Sequence, residues 1–111
     1  MSDDFVRACA VNDLADGKPF RVDLGEFGQV PVVMVKDKNG IYALYDECTH
    51  AAVPLSEGDV DKGGIECWLH GSRFDLVTGK PKSLPATQPV HVFQTRIDGD
   101  DVFIALGDKD S

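Results

Sequence analysis

Cys48-Thr49-His50 and Cys67-Trp68-Leu69-His70 place two thiols and two imidazoles in a pair of short loops, with sixteen residues between His50 and Cys67. The pattern is C-x-H-x16-C-x2-H, and it takes two of the chain's three cysteines and two of its three histidines. Three readings compete. A buried cysteine often behaves as a small hydrophobe, and a lone histidine is more often packed or solvated than a ligand. That accounts for any one of the four residues but poorly for two matched Cys/His loops. A mononuclear zinc site is the second reading, although zinc spacings usually pair Cys with Cys and His with His. The third is a two-iron cluster with two cysteines on one iron and two histidines on the other. Here the spacing has a physical cause. Each loop must reach both metals, so each supplies one ligand to each.

Loops can do this only if a scaffold delivers them as a pair. Residues 5–10 read as a short strand, followed by a polar turn at Asn12-Asp13. In residues 18–24, Phe20, Val22 and Leu24 alternate with Arg21 and Asp23, the period of a half-buried strand. Residues 30–35 are rich in β-branched side chains and read as a buried strand, with Pro31 near its start where a missing N–H is tolerated. Asn39-Gly40 is a strong hairpin signal, and residues 41–45 return along it. The first loop begins just after this strand. Residues 58–64, acidic and glycine-rich, read as turns, and Ile65-Glu66 as a brief strand into the second loop. Residues 73–76 lead out to a Thr78-Gly79 turn, then to a proline-bearing loop at 84–89. Residues 90–97 and 102–106 form a closing hairpin.

Short strands every 8 to 12 residues predict an all-β antiparallel sandwich or barrel, with a small lobe at about 46–89 inserted between strands of the base. No amphipathic helix, repeat or linker interrupts it. At 111 residues the chain suits one domain, 1–111. No apolar run approaches the roughly 20 residues of a membrane span. The acidic start Met1-Ser2-Asp3-Asp4-Phe5 lacks the basic region of a secretory signal. Three cysteines without such a signal do not suggest a disulfide framework, so a cytoplasmic setting is expected. Nineteen acids against eleven bases leave a net charge of −8, which disfavours nucleic acid and anionic membrane as partners. A monomer that docks transiently on a basic patch fits this balance.

The two loops, the following Gly71-Ser72 and the later proline loop together resemble a Rieske-type [2Fe–2S] ferredoxin, over essentially the whole chain. The resemblance implies one [2Fe–2S] cluster, with Cys48 and Cys67 on the inner iron and His50 and His70 on the outer one. It also implies a shielding and docking surface of Thr49, Ala51, Trp68, Gly71 and Leu84-Pro85-Ala86. Trp68 is expected as a cover over the cluster or as a partner contact, the cover being favoured. Rieske proteins of respiratory complexes carry an extra cysteine in each loop, joined as a disulfide; Val53 and Leu69 stand there, so that clamp cannot form. Those proteins also place a tyrosine where this chain has Phe74, while a serine matches Ser72. Hydrogen bonds to cluster sulfur stabilise the charge added on reduction. Losing one donor and keeping Ser72 implies a potential low within the Rieske range of about −150 to +300 mV.

A ring-hydroxylating oxygenase needs a further iron held by two histidines and a carboxylate. Only His91 remains, so the chain is not itself the oxygenase, and no dinucleotide fingerprint marks it as a reductase. The expectation is an electron carrier between a ferredoxin reductase and a terminal oxygenase. A second reading is iron–sulfur assembly or redox sensing, because residues 66–75 are also similar to small Rieske proteins associated with Suf-type assembly genes. Cys9 is expected in the core, His91 at the surface, and Asp46-Glu47 in a solvated acidic turn.

Overall fold

The computed structural model describes residues 5–25, 28, 30–38, 40–47, 53–61, 63–68, 71–82 and 88–105. Ten strands run in the order β1 (Phe5–Ala10), β2 (Phe20–Leu24), β3 (Val30–Asp37), β4 (Gly40–Tyr45), β5 (Asp59–Asp61), β6 (Gly64–Glu66), β7 (Arg73–Asp75), β8 (Val92–Phe93), β9 (Thr95–Asp98) and β10 (Asp101–Ala105). They form three sheets, ordered β1-β10-β9, β2-β3-β4-β8 and β5-β6-β7, with every strand pair antiparallel. Among the described residues the helical elements are two three-residue 3-10 turns, Val11–Asp13 and Leu55–Glu57. No helix there is long and apolar enough to cross a membrane.

β3 explains the layering. Its run Val32-Val33-Met34-Val35 is fully buried, and because strand side chains alternate, it serves two cores at once. Val32 and Met34 join Cys9, Ala43, Phe93, Val102 and Ile104 against the β1-β10-β9 sheet. Val33 and Val35 join Leu44, Leu55, Ile65, Cys67, Phe74 and Leu76 on the opposite side. The register agrees, since Met34 lies opposite Ala43 and Val33 opposite Leu44. Each such side chain contributes about 1.5–3 kcal/mol on burial. The β2-β3-β4-β8 sheet is therefore a middle layer, with the strands of the inserted lobe on one face and the terminal sheet on the other.

Three expectations need correction. The acidic stretch around Asp59–Asp61 is strand β5, paired with β6, and not only turns. Residues 90–97 do not form one arm of the final hairpin. The run breaks at Gln94: Val92 and Phe93 pair with β4 in the middle layer, whereas Thr95–Asp98 pair with β10. His91 is likewise half-buried and packs edge-on against Phe93, ring centroids 4.7 Å apart.

Candidate metal centre

The second loop is the turn of the β6–β7 hairpin. Ile65 lies opposite Phe74 and Glu66 opposite Arg73, so the chain leaves the ladder at Cys67 and rejoins it after Ser72. Cys67 N–H donates to the Ser72 carbonyl (2.6 Å), and Gly71 N–H donates to the Cys67 carbonyl (3.0 Å). Gly71 takes a left-handed backbone, φ +77°, a conformation in which a side chain is strained. Below the loop, Arg73 pairs with Glu66 (3.6 Å) and donates to the Asp61 carbonyl (2.7 Å), tying the hairpin to β5.

The first loop leaves β4 after Tyr45. Asp46 N–H donates to the Pro31 carbonyl (3.0 Å). The Asp46 side chain is fully buried: one carboxylate oxygen accepts from Ser56 N–H (2.7 Å), the other from the Ser56 hydroxyl (2.6 Å). Arg21 adds a guanidinium 3.4 Å from that second oxygen. The solvated turn expected at Asp46 is thus a buried, charge-assisted bracket; only Glu47 is exposed.

The flanks of the two loops meet. A Cβ on Gly58 would occupy the place of the Glu66 carbonyl, so the chain leaving the first loop passes directly against the strand entering the second. Leu55 and Cys67 share one apolar cluster, with Val53 and Tyr45 packed against it. A third segment joins them: Lys82 N–H donates to the Arg73 carbonyl (2.6 Å) and Asp75 N–H to the Lys80 carbonyl (2.9 Å), so residues 80–82 run beside β7. The described flanks of the two expected loops are thus held against each other.

Of the expected ligands, Cys67 is described, while Cys48, His50 and His70 lie outside the described residues, as do Leu69 and Pro85. Cys67 is fully buried and outside any disulfide among the described residues. Cys67 shares its apolar cluster with Leu55, Ile65, Phe74 and Leu76. Cys9 differs. It sits in the other core, where burial, then the nearby Asp13, pushes its thiol pKa up, with Arg7 opposing; it stays protonated, as expected of a core residue. Ser72 and Phe74 are fully buried; the Ser72 carbonyl accepts from Cys67 N–H, and Phe74 shares the Cys67 cluster. Trp68 is 51% exposed.

Comparison with known proteins accounts for this arrangement. The model of the Rieske [2Fe-2S] domain family matches residues 4–94, a span that includes all four expected ligands. The chain is 36% identical over 109 residues to ferredoxin CarAc of Metapseudomonas resinovorans, covering 98% of this chain and 99% of the relative. It is 37% identical over 100 residues to the ferredoxin component of biphenyl 2,3-dioxygenase from Rhodococcus jostii (strain RHA1), covering 90% and 91%. Among solved structures, it superposes with a TM-score of 0.83 and 35% identity on a chain from the complex of reduced oxygenase and oxidised ferredoxin in carbazole 1,9a-dioxygenase, covering 90% of this chain and 100% of that one. The chain belongs to the Rieske [2Fe–2S] family, and within it to the ferredoxins that serve as electron-transfer components of dioxygenase systems.

Proposed function

We infer that this chain, as one domain with a cluster-binding lobe at about 46–89, takes single electrons from a ferredoxin reductase and delivers them to a terminal ring-hydroxylating oxygenase. The observation that carries the reading is similarity to dioxygenase ferredoxins along nearly the whole length of both partners. A bound [2Fe–2S] cluster supplies a one-electron couple. Cys48 and Cys67 are assigned to its inner iron, His50 and His70 to its outer iron. The closed backbone around Cys67 supports a preformed second loop, and the packing of Gly58 on Glu66 supports delivery of both loops to one site. Buried Ser72 is assigned as a hydrogen-bond donor toward cluster sulfur. Pro85 and half-exposed Trp68 are assigned to the rim, Trp68 as a partner contact.

The charge around that rim is mixed. Arg73 is engaged by Glu66 and the Asp61 carbonyl, whereas Lys80 and Lys82 are exposed. Charge on a rim tunes the encounter rate more than the final affinity. We place it as a monomer in the cytoplasm. Zinc binding and a role in cluster assembly are not favoured by these relatives. Reconstitution with a ferredoxin reductase and a ring-hydroxylating oxygenase tests the reading. Turnover of the oxygenase that depends on adding this chain is expected. A neighbourhood of scaffold and desulfurase genes, with no oxygenase accepting its electrons, would overturn it.

A further inference from the structure

We propose that Asp46, acting through Ser56, is the positioning residue of the first ligand loop, closing that loop on itself. The inference rests on the reading that Cys48 and His50 hold a cluster. Ligands on a loop stay in place only if the loop's ends are fixed, and a tie between Val53 and Leu69 would join the two loops without closing the first on itself. The ends of this loop are fixed otherwise. Asp46 sits two residues before Cys48 and Ser56 six after His50. One carboxylate spans them, accepting the Ser56 N–H at 2.7 Å and the Ser56 hydroxyl at 2.6 Å.

Each end is anchored in turn. Asp46 N–H is held by the Pro31 carbonyl of β3, and Leu55, next to Ser56, is fully buried in the cluster that contains Cys67. Arg21, reaching from β2, offsets the buried charge at the same oxygen that accepts the Ser56 hydroxyl, and it also pairs with Asp23 at 3.1 Å. Burial matters, because a charge-assisted hydrogen bond shielded from water is stronger than an exposed one. The second loop needs no such device, since backbone bonds between Cys67, Gly71 and Ser72 already close it. The two loops are therefore held by different means, and the first depends on one side-chain pair.

The test uses intact protein purified with its cluster. Ser56→Ala removes only the hydroxyl, Asp46→Asn weakens the acceptor, and the double variant combines them. Asp101→Asn, which breaks an exposed pair with Arg7 on the far sheet, is the control. Decay of visible absorption in air, the EPR line shape of the reduced protein and circular dichroism are followed together. Ser56→Ala and Asp46→Asn are each expected to speed cluster loss on the order of tenfold and to broaden or shift the EPR signal. The double variant should be little worse than Asp46→Asn alone, because the two residues share one bracket. Ser56→Thr should restore retention and line shape, and Asp101→Asn should change neither. Unchanged retention and line shape in both single variants would overturn the bracket, as would equal losses in Asp101→Asn. A wild-type protein that holds no cluster at all would instead overturn the functional reading beneath it.

Discussion

Phe74→Tyr tests how this fold sets the potential of its centre. Phe74 is fully buried on β7, opposite Ile65 and in the apolar cluster that contains Cys67. The substitution adds one hydroxyl to a site lined by apolar groups. Left without a partner, that hydroxyl costs about 1–3 kcal/mol of folding stability. If it reaches a cluster sulfur, the cost is offset and the bond strengthens on reduction, when the sulfurs gain negative charge. A net preference of about 1 kcal/mol for the reduced form is a reasonable size for one such bond. Since about 1.4 kcal/mol is tenfold in an equilibrium, and tenfold is about 59 mV for one electron, the midpoint should rise by roughly 40 mV. Voltammetry on anaerobically purified protein reads the potential, and thermal unfolding reads the stability. A rise near that size with stability close to wild type is expected. An unchanged potential with the tyrosine hydroxyl ordered beside sulfur would refute the expectation that hydrogen bonds to sulfur set the potential.

Other perturbations reach the lobe and its rim. The Asp75 carboxylate accepts N–H bonds from Thr78 (3.0 Å) and Val77 (2.8 Å). The Thr78 bond leads in holding its pKa below the usual aspartate value, against a smaller opposing effect of burial. A lowered pKa gives stability that is complete above the unfolded value of about 3.9 and lost as pH falls through the folded value. Asp75→Asn should therefore cost up to about 1 kcal/mol at neutral pH, a difference that disappears in unfolding titrations taken well below pH 4. A deficit that persists in strong acid would contradict the linkage. Gly79→Ala sets a side chain on a backbone with φ +76° and against the Val90 carbonyl; about 2 kcal/mol or more should be lost by urea denaturation, and a neutral result would show that the turn can relax. Trp68→Ala should slow electron delivery to the oxygenase at least severalfold, by weakening an aromatic contact at the rim, while leaving the midpoint potential in place; a shifted potential with unchanged delivery would make Trp68 a cover instead.

The strands that carry alternation or β-branched runs were readable from residue order, because β1 to β4 bury faces whose period is visible locally. β5 was not. Val60 is its one apolar residue between two aspartates, and only pairing with β6 makes it a strand. Residues 90–97 look continuous in sequence, and the break at Gln94 arises because β4 and β10 claim its two halves. At the site, rarity and spacing of Cys and His were enough to point to the two loops. Asp46 gave no such signal. An acid beside another acid in a turn ordinarily faces water, and its burial comes from Ser56 and Arg21, neither of them adjacent in sequence. His91, expected at the surface, is half-buried for a similar reason, since Phe93 shields it within the middle layer.

The central claim is that the paired loops hold a two-iron centre that takes up one electron. Metal analysis, absorption and EPR on protein purified without oxygen test it together. A reddish protein with the two irons per chain of a [2Fe–2S] centre, giving a Rieske-type signal when reduced by one electron, is the predicted result. A colourless protein that carries zinc and stays EPR-silent on reduction would contradict the account.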